Sequence, residues 1–335
     1  MSSDIADTAA RQLRRKIVDN AGTADKVYRG VGRAGGSLVL VLMVLVGTFL
    51  VYRAWEALSV AGFGFVTTEE WNPDGGGFGI AAVIVGTVLI AVVAIAVAVP
   101  LAMGTALYIS EYAPRWLKRT LVAMVDLMAA VPSVVFGLWG AFFLQWKIIY
   151  LSKWLADWFG WLPFLDVTGV ARHDPLATMT TYTSSTFIAG VVVALMVAPI
   201  ACSVMREAFG LAPMGEREGA YALGATRWGM IRSVVLPFGR GAVVGGTMLG
   251  LGRALGETIA VVMIISPRFE IQPHILEHGT SSVSSLIALR YGEASPFGIS
   301  ALMAAGVALF VMTLIVNFVA AWVVSRSRSG AMSEV

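Results

Sequence analysis

Six apolar stretches, each long enough to cross a bilayer as a helix, constrain this chain more than any other feature. They lie at about 38–55, 80–108, 121–145, 186–205, 240–266 and 297–324. A hydrocarbon core of about 30 Å takes roughly 20 apolar residues in a helix. Lipid offers no hydrogen bonds, so the backbone of each stretch must satisfy itself as helix. Of the 335 residues, 57% are apolar and only 13% charged. The mean hydropathy is +0.78. No soluble domain needs that balance, so the expected class is an all-α polytopic membrane protein with six transmembrane helices. The spans divide the chain into a tail at 1–37, a six-span membrane domain at 38–324 and a tail at 325–335. A long polar loop at 206–239 interrupts the membrane domain. The net charge of +3 gives no reason to expect a nucleic-acid partner.

The arrangement of the basic residues sets the expected orientation. Seventeen of them fall in the two tails, the second loop and the fourth loop, against six in the other three loops. The positive-inside rule therefore puts both termini and the 206–239 loop in the cytosol. An even number of spans agrees. A charged stretch precedes the first span, so no secretory signal is expected. The single cysteine, Cys202, excludes an intrachain disulfide.

Proline falls inside three spans, at Pro100, Pro132 and Pro199. Each frees a backbone carbonyl, which neighbouring helices must satisfy. The segment from Thr8 to Arg33 is expected as a helix on the membrane surface, its arginines among anionic lipid headgroups. Trp154, Trp158 and Trp161 recur at i, i+4 and i+7 and suggest a short interfacial helix between spans three and four. Asp126 is expected near the inner mouth or the interface. His274 and His278 stand at helical metal-ligand spacing, but no third ligand is evident, so they are read as surface residues.

The polar loop has a legible local plan. Pro213 and Gly215 break the preceding helix, and Glu216 and Glu218 suit the positive end of a new one. Gly224 sits where that helix should stop in a left-handed turn. Thr226 can cap the next helix, which Pro237 ends or kinks. The plan is helix, tight bend, helix: a rigid knob. No lysine follows a glycine, so the chain has no phosphate-cradling GxxxxGK[ST] loop.

The fifth stretch holds two charges, Arg253 and Glu257, on an expected common face with Gly246 and Gly250. A charge near the membrane centre costs at least about 2.5–3.5 kcal/mol on insertion scales and by default marks a pathway or gate. Arginine grips oxyanions through paired hydrogen bonds. Glu257 is expected to hold Arg253 when no anion is bound; a purely structural ion pair is the alternative.

Two runs of sequence resemble known proteins. Glu218, Gly219, Ala220, Gly224, Val234, Leu236 and Pro237 fall at the spacing of the EAA loop. That loop belongs to the membrane subunits of ATP-binding-cassette importers, although Gly219 stands where alanine is usual. The run GRALGETIAVVM, with Arg253, Gly256, Glu257 and Thr258, is similar to the signature of bacterial phosphate-import permeases. Phe78 to Pro114 and Val131 to Gly140 resemble them too, and Ile259-Ala260-Val261 after the GET favours the PstC-type subunit over its PstA-type partner.

The resemblance implies a type I, MetI-like permease fold in the bacterial inner membrane. It implies a heterodimer with a second permease, a separate ATPase dimer that binds ATP and Mg, and an extracytoplasmic phosphate-binding protein. No cofactor is expected on this chain itself, and no chemistry is catalysed by it. Arg253, Gly256, Glu257 and Thr258 become the expected substrate path, and Glu218 to Pro237 the expected ATPase contact. An importer of sulfate, molybdate or phosphonate, and a stand-alone secondary carrier, remain as alternatives.

Overall fold

The computed structural model describes residues 22–170, 173–174 and 178–327, with side chains as far as 323. By internal contacts the chain falls into two compact units, Met1–Phe49 and Leu50–Val335. In the first, the described residues from Thr23 onward form helix. Its apolar side chains, among them Leu38, Val41, Leu45 and Phe49, are exposed, as a helix side facing lipid requires.

Among the described residues six helices are long and apolar enough to span a membrane: Thr23–Ala61, Ala81–Tyr112, Ser133–Phe159, Thr186–Gly210, Arg227–Gly256 and Pro296–Val323. The expected six-span, all-helical class is therefore what the chain adopts. A short antiparallel hairpin with two residues in each strand, Trp71 opposite Phe78, is the one sheet among the described residues, beside an isolated bridge between Ser185 and His278. Phe78 meets Phe65 and Phe297 edge-on, with ring centroids 6.0 and 5.4 Å apart.

The second and fourth spans pack along each other and form the centre of the larger unit. The second presents Ala91, Ala94, Ala98, Ala102 and Ala106, all buried and three or four residues apart. Small side chains on one face let helix backbones approach, which is how helices associate where burial of apolar surface gives no drive. Pro100 and Pro199 both lie within continuous helix. The fifth span packs on the fourth, and the sixth on the fifth.

Three expectations need correction. The stretch 121–145 is not one helix. A helix from Arg115 to Ala130 stops there, and Val131 is extended (φ −64°, ψ 129°) because the residue before a proline is pushed out of the helical region. The third span starts after Pro132, at Ser133. Trp154 and Trp158 consequently lie in the last turns of that span rather than on a separate interfacial helix, and Trp161 follows in a turn. The fifth stretch is also broken: its long helix ends at Gly256, and a short one, Ile259–Ile264, follows.

At the N-terminus, residues 23–37 are part of the helix that becomes the first span. The rest of the expected surface helix, with Arg11, Arg14, Arg15 and Lys16, lies outside the described residues. At the other end the last helix runs to Ser327, and 328–335 lie outside.

Candidate translocation and coupling sites

The knob forms as its sequence dictates. A helix runs from Met214 to Ala222, opened by Pro213, with Glu216 in its first turn. It closes in a full Schellman turn: Gly224 donates to Tyr221 O at 2.9 Å and Ala225 to Ala220 O at 3.0 Å. Gly224 holds φ +85°, where a side chain is strained. Thr226 Oγ1 then accepts from Gly229 N at 3.1 Å and caps the next helix.

That helix does not end at Pro237. It passes through a π turn, Ile231–Val235, and continues as the fifth span. Pro237 sits in the first turn after the π segment and is carried inside the helix. The wider turn offers a place for a residue that has no N–H to give.

One side of the knob is buried and the other bare. Met230, Ile231 and Val235 are core residues, Ala220, Val234 and Leu236 are half-buried, and Gly239 lies against the Phe209 ring. Glu218, Gly219, Gly224 and Pro237 are exposed. So are Met214, Tyr221, Trp228 and Leu223, the last at 91%. Large apolar side chains bared together beside a carboxylate mark an interaction surface.

Charges that the sequence reading missed fasten the knob. Arg217 Nη1 donates to Glu111 Oε2 at 3.0 Å, Nη2 to Phe209 O at 2.6 Å and Nε to Ala212 O at 3.1 Å. Arg227 donates to the carbonyl of Glu111 and lies over the Tyr112 ring, 4.8 Å from its centroid. Glu111 ends a long apolar run, and a buried carboxylate there needs a partner. That was the only signal available in the sequence.

At the other end of the fifth span, Arg253 and Glu257 do not pair. Gly246 and Gly250 do face a neighbour: a Cβ on Gly250 would lie 2.4 Å from Val197 Cγ1 of the fourth span. Arg253 is exposed, and among the described residues no hydrogen bond or ion pair holds it. Glu257 is buried and lies past the helix end, with an extended backbone (φ −69°, ψ 124°).

Glu257 instead mends the break. Its Oε1 accepts from Ala260 N at 3.3 Å, at the start of the short helix, and its carbonyl accepts from Ser284 Oγ at 2.8 Å. Thr258 Oγ1 donates to Gly256 O at 3.2 Å. A broken helix at membrane depth survives only where its loose backbone groups are satisfied or line a polar cavity. The arrangement therefore keeps Glu257 in the protein and leaves the Arg253 guanidinium bare.

Of the weaker signals, Asp126 faces Arg206 of the fourth span at 4.0 Å. His278 Nδ1 lies 3.0 Å from Thr183 O, so it clasps two loops together.

Comparison with known proteins matches residues 98–329 to the family described as binding-protein-dependent transport system inner membrane component. A phosphate transport system permease protein PstC of Pasteurella multocida is 36% identical over 301 residues, covering 90% of this chain and 91% of that one. PstC 2 of Mycobacterium tuberculosis is 38% identical over 301 residues, covering 89% and 90%. PstC of Mesorhizobium japonicum is 36% identical over 330 residues, covering 96% and 97%.

The chain belongs to the PstC family of binding-protein-dependent permeases. As a PstC-family permease it is a transport subunit, not an enzyme in itself. Its fold is that of solved importer permeases. A bacterial ABC transporter that imports the acidic polysaccharide alginate superposes with a TM-score of 0.54 at 17% identity, covering 90% of this chain and 99% of that one. The same kind of transporter, in complex with an alginate-pentasaccharide-bound periplasmic protein, gives 0.57 at 15% identity, covering 92% and 96%.

Proposed function

We propose that this chain is one half of the membrane path of an ATP-driven importer of inorganic phosphate, with the knob seated on a separate ATPase. The single observation that carries the reading is the knob itself. It is a rigid bend with a bare apolar face, at the EAA spacing, continuous in helix with the fifth span. A surface of that kind on a transport subunit suits a partner that moves.

Phosphate as the cargo is supported by the names of the relatives and by Arg253. A bare guanidinium on a membrane helix suits a tetrahedral oxyanion. In this reading a second permease subunit closes the path opposite Arg253, and a phosphate-binding protein delivers to the outer mouth. ATP-bound closure of the ATPase dimer draws the knobs together and opens the path outward, and hydrolysis returns it. Both termini and the knob face the cytosol.

The test is reconstitution. The chain, its partner permease, the ATPase and the binding protein are placed in proteoliposomes, and labelled phosphate uptake is followed with ATP inside or outside. Uptake that needs both ATP and the binding protein, and is unaffected by excess sulfate or molybdate, is the expected result. Uptake that proceeds without the ATPase would replace this reading with a stand-alone carrier.

A further inference from the structure

We propose that Glu111 is a positioning residue for coupling, the point at which both arms of the knob grip the second span. The proposal rests on the knob's role as the ATPase contact. Glu111 is held twice. The helix Met214–Ala222 reaches its carboxylate through Arg217, and the start of the fifth span reaches its carbonyl through Arg227. Arg217 also ties in the end of the fourth span through Phe209 O and Ala212 O. One residue of the second span thus gathers three consecutive elements that lie far along the chain from it.

The position is mechanically suited to the task. Glu111 lies in a π turn, Tyr108–Tyr112, and the fifth span carries its own π turn at Ile231–Val235, just past Arg227. Single π turns inside α-helices are higher in energy than the α form and gather at functional sites. A push on the knob therefore reaches the second span at the π turn that ends it and the fifth span at a π turn within it. The second span, packed along the fourth, then carries the movement inward.

The carboxylate is not built for stability alone. Its side chain is 4% exposed, and among the described residues only Oε2 has a partner while the buried Oε1 has none. A buried pair that leaves one oxygen unsatisfied holds less firmly than a completed network, as befits a contact that shifts between two arrangements.

The experiment compares Glu111→Gln and Arg217→Lys with the wild type in the complete reconstituted complex, measuring phosphate taken up per ATP hydrolysed. Gln keeps the shape and an acceptor but drops the charge; Lys keeps the charge but loses the fork that reaches three acceptors. For both, the ratio is expected to fall at least about fivefold, the lower end of a coupling between sites. A merely structural role lowers the amount of complex and scales uptake and hydrolysis together, leaving the ratio unchanged. An unchanged ratio in a transporting complex overturns the clasp and leaves the proposed function standing. Absence of ATP-driven uptake in the wild type brings down both. Failure of both variants to assemble makes the pair a folding element and also overturns the proposal.

Discussion

Glu111 and Arg217 are 106 positions apart in the chain and 3.0 Å apart in space. The contact joins the end of the second span to the helix that follows the fourth. Both side chains are largely buried, at 4% and 15% exposure, so either alone would be an unpaired charge in a poorly solvated place. It also sets the knob's direction, because Arg217 spends its other donors on the carbonyls at the end of the fourth span. The C-terminal end of a helix is negative, which suits a guanidinium there.

Gly224 is the position at which the knob is most easily broken without unfolding the spans. A Cβ there meets nothing within 4 Å, so the objection to a side chain is the backbone at φ +85°, not a clash. A left-handed conformation costs a non-glycine residue about 1–2 kcal/mol, and more for a β-branched one. Gly224→Val is expected to insert normally and to lose binding-protein-stimulated ATP hydrolysis. Normal stimulation by the Val variant would place the working bend elsewhere.

Glu257 is expected to act as a helix cap. Glu257→Ala removes the acceptor for the Ala260 N–H and should lower stability by about 1 kcal/mol, the usual cost of a lost cap. Glu257→Gln retains an oxygen at the same place and should melt close to the wild type. Thermal unfolding of the purified complex in nanodiscs compares them. A Gln variant as unstable as the Ala variant would mean that the charge, and not the cap, is what the site requires.

The spans and the knob were legible in the sequence because their signals are local. Length and apolarity define a span, and Gly224 with Thr226 writes a bend into a few residues. The breaks were harder. The helix ending at Ala130 and the one ending at Gly256 lie inside apolar runs, where hydropathy is blind to an extended residue such as Val131 or Glu257. The i, i+4 spacing of Arg253 and Glu257 implies a shared face only in a helix that continues past Gly256, where this one ends. The Glu111–Arg217 contact was beyond local reading, since nothing in the sequence near 111 points to 217. It follows from the packing of the second span on the fourth.

Topology is open to direct measurement. In a Cys202→Ala background, single substitutions Ser59→Cys, Thr168→Cys and Glu293→Cys should react with a membrane-impermeant thiol reagent in intact cells. All three positions are exposed in the structure. Leu223→Cys, at the tip of the knob, should react only after the membrane is permeabilised. The expectation rests on the seventeen-to-six distribution of basic residues. Labelling of position 223 in intact cells would reverse the orientation and remove the knob from the ATPase.

Arg253 is where cargo recognition is expected to concentrate, and its surroundings make the test clean. The side chain is exposed, with no hydrogen-bond or ion-pair partner among the described residues, so its removal leaves no orphaned group in this chain. Arg253→Gln keeps polarity and length but loses the charge and the fork. Phosphate uptake per assembled complex should fall at least about tenfold, roughly 1.4 kcal/mol on the limiting step, while assembly with the ATPase persists. Arg253→Lys should fall between the two, since it restores the charge without the paired donors. Glu257→Gln provides the comparison. If Arg253 and Glu257 form one gate, the two Gln variants should lose uptake alike. If they act apart, as their geometry indicates, Arg253→Gln loses uptake and Glu257→Gln keeps most of it. Near-normal uptake in Arg253→Gln would remove the guanidinium from the path and leave the cargo to be recognised by other groups.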